Sequence, residues 1–252
     1  IVTFSTLKYN SDKTYWDEWF PAEFVVESFP GQFRNWFYSL LAMSTMLENK
    51  PPFKNLLGHA LVRAEDGREM HKSWGNAIWF EDAAEKMGVD VMRWLYASQN
   101  PEHNLNFGYN IADDVRKNLI TLWNTYSFFI TYANLDEFDP RNDMVKYEDY
   151  TNLDKWIISK MHDLIKEADE AYSSFKVFQL MKSITKFIDD LSNWYVRRSR
   201  RRFWRSENNT DKKAAYSALY QVLLDLTKLM SPIIPFASEK IYQNLVIHKG
   251  KE

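Results

Sequence analysis

Residues 177–195 read VFQLMKSITKFIDDLSNWY. Apolar side chains recur in this stretch at steps of three and four residues, which is the period of a helix with one buried face. The stripe consists of Val177, Leu180, Met181, Ile184, Phe187, Ile188, Leu191, Trp194 and Tyr195. Such a stripe needs other elements to cover it, so the stretch predicts a helix inside a bundle.

Further helices are predicted on both sides of this stretch. Thr151 and Asp154 have the spacing of a capping box and predict the start of a helix that runs to about Tyr172. A polar, aperiodic segment at 134–150 is predicted to be a connection. Other helices are predicted over 82–98, 110–133 and 212–229, and from Pro235 to about Val246. The C-terminal half is therefore expected to be an all-helical bundle.

The first 75 residues have a different pattern, in which short apolar runs alternate with turn residues such as Pro30-Gly31 and Asp66-Gly67. Between these breaks, residues 33–47 have helical spacing, and residues 56–62 resemble a buried strand. A strand, a helix and a strand in this order are typical of an α/β domain. We therefore expect a mainly α chain in which the remnant of an α/β domain precedes the bundle.

A basic segment continues the stripe of residues 177–195. It places six Arg in the nine positions from Arg197 to Arg205. The next steps of the stripe fall on Arg198 and Arg202, and an arginine that faces a core needs a paired acid or an open groove. The cluster consists of Arg197, Arg198, Arg200, Arg201, Arg202 and Arg205, with Trp194 just before it.

Two interpretations of the basic segment remain open. It can be a helix end that is neutralised by the nearby Asp189, Asp190 and Glu207. It can also be a surface that follows nucleic-acid phosphates, with aromatic side chains available to stack on bases. The net charge of the whole chain is −2, so only a local patch of this kind could bind nucleic acid.

A Gly-flanked loop at 67–76 reads GREMHKSWGN. It combines a Lys and a Ser between glycines. Lys supplies a point charge, and hydroxyl and backbone N–H groups supply donors, so the pattern suits phosphate binding. A solvated turn is the alternative interpretation. We call residues 67–76 the Lys-Ser loop.

Composition limits the remaining possibilities. The chain has 252 residues, 45% hydrophobic and 16% aromatic, which predicts a folded protein with large buried contacts. It contains no Cys, so disulfide partners and thiolate metal sites are excluded and a reducing compartment is expected. No apolar run approaches the ~20 residues that span a bilayer. The five His are scattered and predict no metal site. The first residue is Ile1, and we expect a fragment, although loss of an initiator Met is equally simple.

Together these segments resemble the class I aminoacyl-tRNA synthetases, and among them the isoleucyl-tRNA synthetases. Six segments in the family's order carry the resemblance and cover almost the whole chain: residues 5–9, 16–27 and 31–37, the Lys-Ser loop, the run Asn193 to Arg200, and Ser231 to Phe236. The resemblance implies the C-terminal part of a Rossmann-like catalytic domain (1–103), followed by a class Ia type anticodon-binding bundle (104–252).

The resemblance also implies roles for individual residues. The Lys-Ser loop resembles the family's KMSKS signature, with Lys72 and Ser73 in catalytic positions and Met70 and His71 beside them at the nucleotide. Glu27 and Gln32 match residues that contact the adenylate and its ribose, and Trp36 matches a wall of the isoleucine pocket. Without the resemblance, Trp36 would be a core residue and Glu27 an edge-strand carboxylate. The arginine cluster and Trp194 are expected to contact tRNA.

Three positions depart from the family pattern. Glu69 replaces the first Lys of the signature, and His71 replaces its first Ser. Gly31 replaces the acid that usually precedes Gln32. The first change removes a cation, and the third puts the ribose contact in doubt.

The family's second ATP signature, HIGH, is not in this sequence, nor is an editing domain. We therefore expect a fragment of an enzyme that joins L-isoleucine to tRNA(Ile) through an adenylate made from ATP, and expect the fragment to be inactive alone. ATP and Mg would be held mainly by the missing half. The expected location is the cytoplasm. A non-catalytic, synthetase-derived RNA-binding protein is the alternative hypothesis.

Overall fold

The computed structural model describes residues 2–204 and 209–247. The chain divides into two compact units. Unit 1 contains residues 1–77 and 99–107, and unit 2 contains residues 78–98 and 108–252. The sequence-based division at 103/104 assigned residues 78–98 to the first part, whereas in the structure they group with the helical bundle.

Unit 1 contains two small parallel sheets. Strand β1 (Ala22–Ser28) pairs with β2 (Phe53–His59), and β3 (Val62–Ala64) pairs with β4 (Leu105–Phe107). Parallel neighbours require a crossover connection, which helices supply between β1 and β2. The predicted strand–helix–strand order is therefore confirmed. The helices of this unit are α1 (Val2–Thr6), α2 (Lys13–Trp19), α3 (Phe29–Gln32) and α4 (Tyr38–Glu48).

One helix and one strand of unit 1 are interrupted where the sequence predicts continuous elements. The helix expected over 33–47 is preceded by a π-helical turn at Phe33–Phe37, in which Asn35 leaves the helical region with φ −105° and ψ −119°. The strand expected over 56–62 is two strands, because β2 ends at His59 and β3 begins at Val62. Apolar spacing alone does not reveal such interruptions.

Aromatic packing holds the start of unit 1 together. Trp16 of α2 is fully buried. Its ring stacks on Phe20 with a centroid distance of 4.5 Å and on Phe4 at 5.0 Å, and Tyr9 meets it edge-on at 4.9 Å. Burial of large rings gives these short elements a core that their length alone would not provide. This agrees with the high aromatic content of the sequence.

Unit 2 is a helical bundle, as predicted. The expected single helix over 82–98 is wrong, because Gly88 adopts φ +88° and divides it into two. No helix in the described residues is long and apolar enough to cross a membrane. The helices are α5 (Phe80–Lys86), α6 (Val89–Ala97), α7 (Tyr109–Leu135), α8 (Asn152–Ser173), α9 (Val177–Asp189), α10 (Arg197–Trp204), α11 (Thr210–Met230) and α12 (Pro235–Tyr242).

The core of unit 2 is built from the apolar stripe of residues 177–195. Leu180, Ile184 and Leu191 are fully buried and belong to one core cluster with Leu219 and Val222 of α11. Each such burial contributes roughly 1.5–3 kcal/mol. The stripe that predicts a helix therefore also supplies the centre of the bundle.

The segment Ser231 to Phe236 forms a junction between two parts of unit 2. The guanidinium of Arg93 in α6 donates to the carbonyl oxygens of Ile233 (2.8 Å) and Pro232 (2.7 Å). Asp90 of α6 accepts from the backbone N–H of Ala237 in the first turn of α12, at 2.7 Å. A carboxylate at a helix N-terminus satisfies donors that lack intrahelical partners. The structural role of this segment is thus to attach α6 to α12.

A π-helical segment at Asp190–Val196 precedes α10, which we call the basic helix. It turns the faces of the basic helix away from the directions that the apolar stripe predicts. A π turn contains more residues than an α turn, so the faces after it shift around the helix axis. Tyr195 and Val196 are buried, and the next inward positions are Ser199 and Phe203. Trp194, which the periodicity placed on the stripe, is 50% exposed.

Arg202 is the arginine that faces the bundle, and acids from distant segments pair with it. Its guanidinium donates to both carboxylate oxygens of Asp154, at 2.7 and 2.8 Å, and its Nε lies 2.9 Å from Asp211. Tyr195 Oη also donates to Asp154, at 2.7 Å. The capping box of Thr151 and Asp154 is confirmed, so one buried carboxylate serves both the helix start and the ion pair.

The electrostatics of Asp154 follow from these contacts. Burial alone raises the pKa of its carboxyl group, but the hydrogen bonds from Arg202, Tyr195 and Thr151 outweigh burial and hold this pKa below its ordinary value. Among the described residues, the acids that pair with Arg202 are therefore Asp154 and Asp211 rather than Asp189 and Asp190. Glu207 lies outside the described residues.

Replacing Arg202 by Ala is expected to lower the free energy of unfolding of the bundle by about 3–5 kcal/mol, because it leaves the buried Asp154 carboxylate without its cation. The exposed neighbour Arg201 supplies the matched control, and R201A is expected to change stability by less than about 0.5 kcal/mol. Urea unfolding followed by circular dichroism measures both. Equal stabilities of the two variants would contradict a structural role for Arg202.

Candidate functional site

The Lys-Ser loop leaves β3 through a tight turn. The N–H of Gly67 donates to the carbonyl oxygen of Ala64 at 2.8 Å, and the N–H of Ala64 donates to Arg68 at 2.8 Å. Gly67 has φ +82°, a conformation that favours glycine. The loop therefore starts at the carboxyl end of a parallel strand, which is where α/β folds bind ligands.

Asn76 closes the Lys-Ser loop with both ends of its amide. Its Oδ1 accepts from the N–H of His71 at 2.9 Å, and its Nδ2 donates to the carbonyl oxygen of Glu69 at 2.8 Å. The sequence predicts no role for Asn76. The sequence feature that could have indicated a loop-closing residue is its position directly after Gly75, which ends the 3₁₀ turn with φ +69°.

The side chains to which the resemblance assigns catalytic roles lie on the outside of this loop. Lys72 and Ser73 are exposed on a short 3₁₀ turn, Lys72–Trp74, and Met70 is half-buried. Their charge and hydroxyl are thus presented to solvent, where a phosphate could approach.

Glu69 and His71, the two loop residues that differ from the KMSKS pattern, contact each other. The Nε2 of His71 lies 3.2 Å from a carboxylate oxygen of Glu69, and the imidazole packs on Trp74 with a centroid distance of 4.3 Å. Glu69, which stands where the family has its first Lys, therefore contacts His71 within the loop.

Glu27 is the penultimate residue of β1, and Gln32 ends the short helix α3 that follows this strand. Glu27 is buried, with 5% of its surface exposed, and its Oε1 accepts from the backbone N–H of Ser28 at 2.6 Å. Gln32 is exposed at the end of α3, and its Oε1 lies 3.5 Å from the Nδ2 of Asn35. Like the Lys-Ser loop, these residues occupy the edge of a parallel sheet at which ligands bind.

Trp36 lies on the π-helical turn of unit 1 and is 44% exposed. Its neighbour Phe37 is buried and packs on Phe53 of β2 with a centroid distance of 5.7 Å. The core role that periodicity favours therefore belongs to Phe37, and the indole of Trp36 stays open to solvent.

The outward side of α10 carries exposed arginines. Arg197, Arg198, Arg200 and Arg201 are exposed, and exposed Trp194 and Trp204 stand at its two ends. We call these six residues the basic face. The guanidinium of Arg198 lies 4.6 Å above the ring of Trp194. Trp204 was not among the residues expected from the sequence, although it lies one turn beyond Arg200 and Arg201.

Two arginines of the cluster differ from the rest. Arg202 points into the bundle, where Asp154 and Asp211 bind its guanidinium, so we assign it to the interior rather than to a nucleic-acid surface. Arg198, which periodicity placed toward the core, is exposed instead because of the π-helical segment. Arg205 lies outside the described residues.

Residues 2–204 and 209–247 contain no group of three or more His, Asp or Glu side chains that could hold a metal ion.

Two family models match the chain. Residues 1–108 match the tRNA synthetases class I (I, L, M and V), and residues 154–252 match the anticodon-binding domain of tRNA ligase.

Curated relatives of the chain carry the name isoleucine–tRNA ligase. The protein of Dehalococcoides mccartyi (strain ATCC BAA-2266 / KCTC 15142 / 195) is 43% identical over 232 residues, which are 90% of this chain and 22% of the relative. That of Clostridium acetobutylicum is 41% identical over 261 residues, covering 100% of this chain and 24% of the relative. The chain thus spans about a quarter or less of the length of these relatives.

Solved structures share the fold at low sequence identity. A ternary complex of Agrobacterium radiobacter K84 LeuRS with tRNA and LeuAMS matches with a TM-score of 0.73 and 15% identity, over 98% of this chain and 30% of that chain. Mycobacterium tuberculosis methionyl-tRNA synthetase in complex with methionyl-adenylate matches with a TM-score of 0.72 and 14% identity, over 92% of this chain and 46% of that chain.

Replacing Asn76 by Ala is expected to loosen the Lys-Ser loop, because two hydrogen bonds that close it are lost and each contributes about 0.5–1.5 kcal/mol. Amide hydrogen exchange at His71 should accelerate by roughly 2- to 10-fold in the intact chain. Asn106 to Ala is a control in the same unit that leaves the Asn76 contacts in place. Unchanged exchange at His71 in N76A would contradict the closing role of Asn76.

Proposed function

Because the chain belongs to the class I tRNA synthetases, and its curated relatives are isoleucine–tRNA ligases, we propose that it works as part of an isoleucyl-tRNA synthetase. The complete enzyme would join L-isoleucine to tRNA(Ile) through an isoleucyl-adenylate made from ATP. The observation that carries this proposal is the occurrence, in one chain, of a Lys-Ser loop at a parallel-strand edge and a basic face on a helical bundle.

The Lys-Ser loop would act on the phosphates of ATP. When the isoleucine carboxylate attacks the α-phosphate, negative charge grows on the phosphate oxygens and on the leaving pyrophosphate. An ammonium held at this position stabilises that charge more in the transition state than in the ground state. We assign this role to Lys72 and a supporting hydrogen bond to Ser73. Met70 and His71 would adjoin the nucleotide.

The edge of β1 would hold the rest of the adenylate. We propose that Glu27 binds the adenylate, that Gln32 lies at its ribose, and that Trp36 forms one wall of the isoleucine pocket. The open indole of Trp36 supports this assignment, since a pocket wall has to present its ring to a ligand. With Gly31 in place of an acid, the ribose contact would depend on Gln32 alone.

This chain would supply only part of the active site. It covers 22–24% of the length of its curated relatives, and the family's HIGH signature is not in its sequence. Binding of ATP and its Mg²⁺ would depend mainly on residues elsewhere in the synthetase, and we derive no step through the ion. The isolated chain should therefore be inactive.

The basic face would bind the anticodon arm of tRNA(Ile). Four exposed arginines lie along α10, and Arg is suited to phosphate because its guanidinium donates two parallel hydrogen bonds. This basic face is local, since the chain as a whole carries a net charge of −2. Such a role in translation would place the protein in the cytoplasm.

A second candidate is a non-catalytic RNA-binding protein derived from a synthetase. The contact between Glu69 and His71 favours it, because both residues depart from the signature and the acid places negative charge beside a phosphate site. Sequencing the gene upstream of the codon for Ile1 separates the two candidates. An open frame with HIGH favours the enzyme, and a start codon at this point favours the derived protein.

We expect the isolated 252-residue chain to give no isoleucine-dependent ATP–pyrophosphate exchange above background, because the second ATP signature is missing from it. An intact isoleucyl-tRNA synthetase in the same assay is the positive control. Exchange by the isolated chain at a comparable rate would refute the proposal that it supplies only part of the site.

The chain is expected to bind tRNA(Ile) in a salt-sensitive manner. Replacement of Arg197, Arg198, Arg200 and Arg201 by Ala should weaken binding and lower the salt slope by about one per lost phosphate contact. R141A is the control, because Arg141 is an exposed arginine that pairs with Asp139 on a connecting loop. Filter binding at several salt concentrations measures both. Unchanged affinity of the fourfold variant would count against an RNA role for the basic face.

A further inference from the structure

Unit 2 contains a cavity of about 290 Å³ that none of the assignments above uses. Its lining comes from α7, from the segment that follows α7, from α11 and from the π-helical turn Gln243–Ile247. Asn134 also lines the cavity and is exposed, so solvent reaches it from that side. Packed interiors contain few voids larger than a water molecule, and this volume is close to the lower end of the range for ligand pockets. We call it the aromatic cavity.

Four aromatic rings form the walls of the aromatic cavity, namely those of Tyr126, Phe129, Phe138 and Tyr220. Phe129 and Phe138 are buried and meet edge-on with a centroid distance of 6.3 Å, and Tyr220 lies 6.1 Å from Phe129. Behind the wall, Phe138 stacks on Tyr216 at 5.1 Å. Because the bundle core already fixes these rings, a flat ligand could pack against them with little loss of side-chain entropy.

A buried hydroxyl group supplies a hydrogen-bond donor to the aromatic cavity. Tyr126 is only 5% exposed, and its Oη accepts from the Nδ2 of Asn244 at 2.6 Å. This contact uses the hydroxyl as an acceptor and leaves its proton to donate. Residues 2–204 and 209–247 provide no acceptor for that proton. Since buried polar groups are normally hydrogen-bonded, an acceptor on a ligand would complete the set.

The lining of the aromatic cavity also defines the charge of its ligand. The ten described residues that line it include no Lys, Arg, His, Asp or Glu. A charged ligand would lose its hydration here without gaining a counter-charge, so a neutral ligand is favoured. A free small molecule fits better than a base within RNA, because the phosphates next to a base need cations that this lining lacks.

We propose that the aromatic cavity binds a small, neutral aromatic compound that carries a hydrogen-bond acceptor. The ring of the compound packs between the aromatic walls, and its acceptor takes the proton of the Tyr126 hydroxyl. This site goes beyond the proposed synthetase function, since it shares no residue with the Lys-Ser loop or the basic face.

Three matched probes test the chemistry of the ligand on the full 252-residue chain, with dissociation constants from ligand-observed NMR titrations. Benzamide has a flat ring and a carbonyl acceptor, and it is expected to bind saturably. Benzylamine keeps the ring but is a cation at neutral pH, and it should bind more weakly by roughly 10-fold or more. Cyclohexanecarboxamide keeps the acceptor without a flat ring, and a loss of roughly 2- to 10-fold is expected.

Two variants test the location of the site. Y126F removes the donor and should weaken benzamide binding by roughly 2- to 10-fold. A133L fills the cavity from α7, where Ala133 is buried, and should abolish saturable binding. Y172F is the matched control, because the Tyr172 hydroxyl donates to the carbonyl oxygen of Leu229 elsewhere in unit 2, at 2.8 Å, and binding should stay unchanged.

Thermal melting establishes that each variant is folded, and Y126F alone decides the location if A133L does not fold. The proposal is overturned if benzamide shows no saturable binding, or if benzylamine binds as tightly as benzamide. Equal affinity of the original chain and Y126F for benzamide would overturn it as well. None of these outcomes bears on RNA binding by the basic face, so this proposal and the proposed function fail separately.

Discussion

The buried ion pair between Asp154 and Arg202 fixes the architecture of the bundle. Asp154 is fully buried and accepts two hydrogen bonds from Arg202 and one from Tyr195. Burying charge in this way is tolerable only when every partner is in place, so the contact allows one rotation of the basic helix and disfavours others. With Arg202 turned inward, the arginines around it are forced outward. A structural contact thereby creates the surface that we propose for RNA.

The Lys-Ser loop is held in shape by hydrogen bonds and glycine conformations rather than by a buried ion pair. Its shape depends on backbone hydrogen bonds, on two glycines with positive φ, and on the amide of Asn76. The side chains of Lys72 and Ser73 stay exposed, while the carbonyl oxygen of Lys72 accepts from the N–H of Gly75 at 3.2 Å. The side chains that we propose for catalysis are thus carried on a loop that backbone groups and Asn76 hold in shape.

Much of this structure could be predicted from the sequence. Periodicity located most of the helices, the capping box placed the start of α8, and the cost of burying charge predicted a paired acid or an open groove for an inward arginine. The π-helical segment before Arg197 could not be predicted, because nothing in apolar spacing marks an extra residue in a turn. Apolar periodicity therefore predicted that Arg198 faces inward and that Trp194 lies in the core, and both residues are exposed. The acids that pair with Arg202 could not be predicted either, because Asp154 and Asp211 come close to it only through tertiary packing. The roles of Glu27, Gln32 and Trp36 rest on family resemblance, because geometry shows only where they lie.

Hydroxyl-radical footprinting of the chain with and without tRNA(Ile) tests the central claim most directly, namely that the outward side of the basic helix is the RNA surface. The account predicts that tRNA protects Trp194 and Trp204 from oxidation, while the exposed Tyr147 of the same unit is oxidised as before. Oxidation of both tryptophans at an unchanged rate, under conditions in which tRNA is bound, would contradict it.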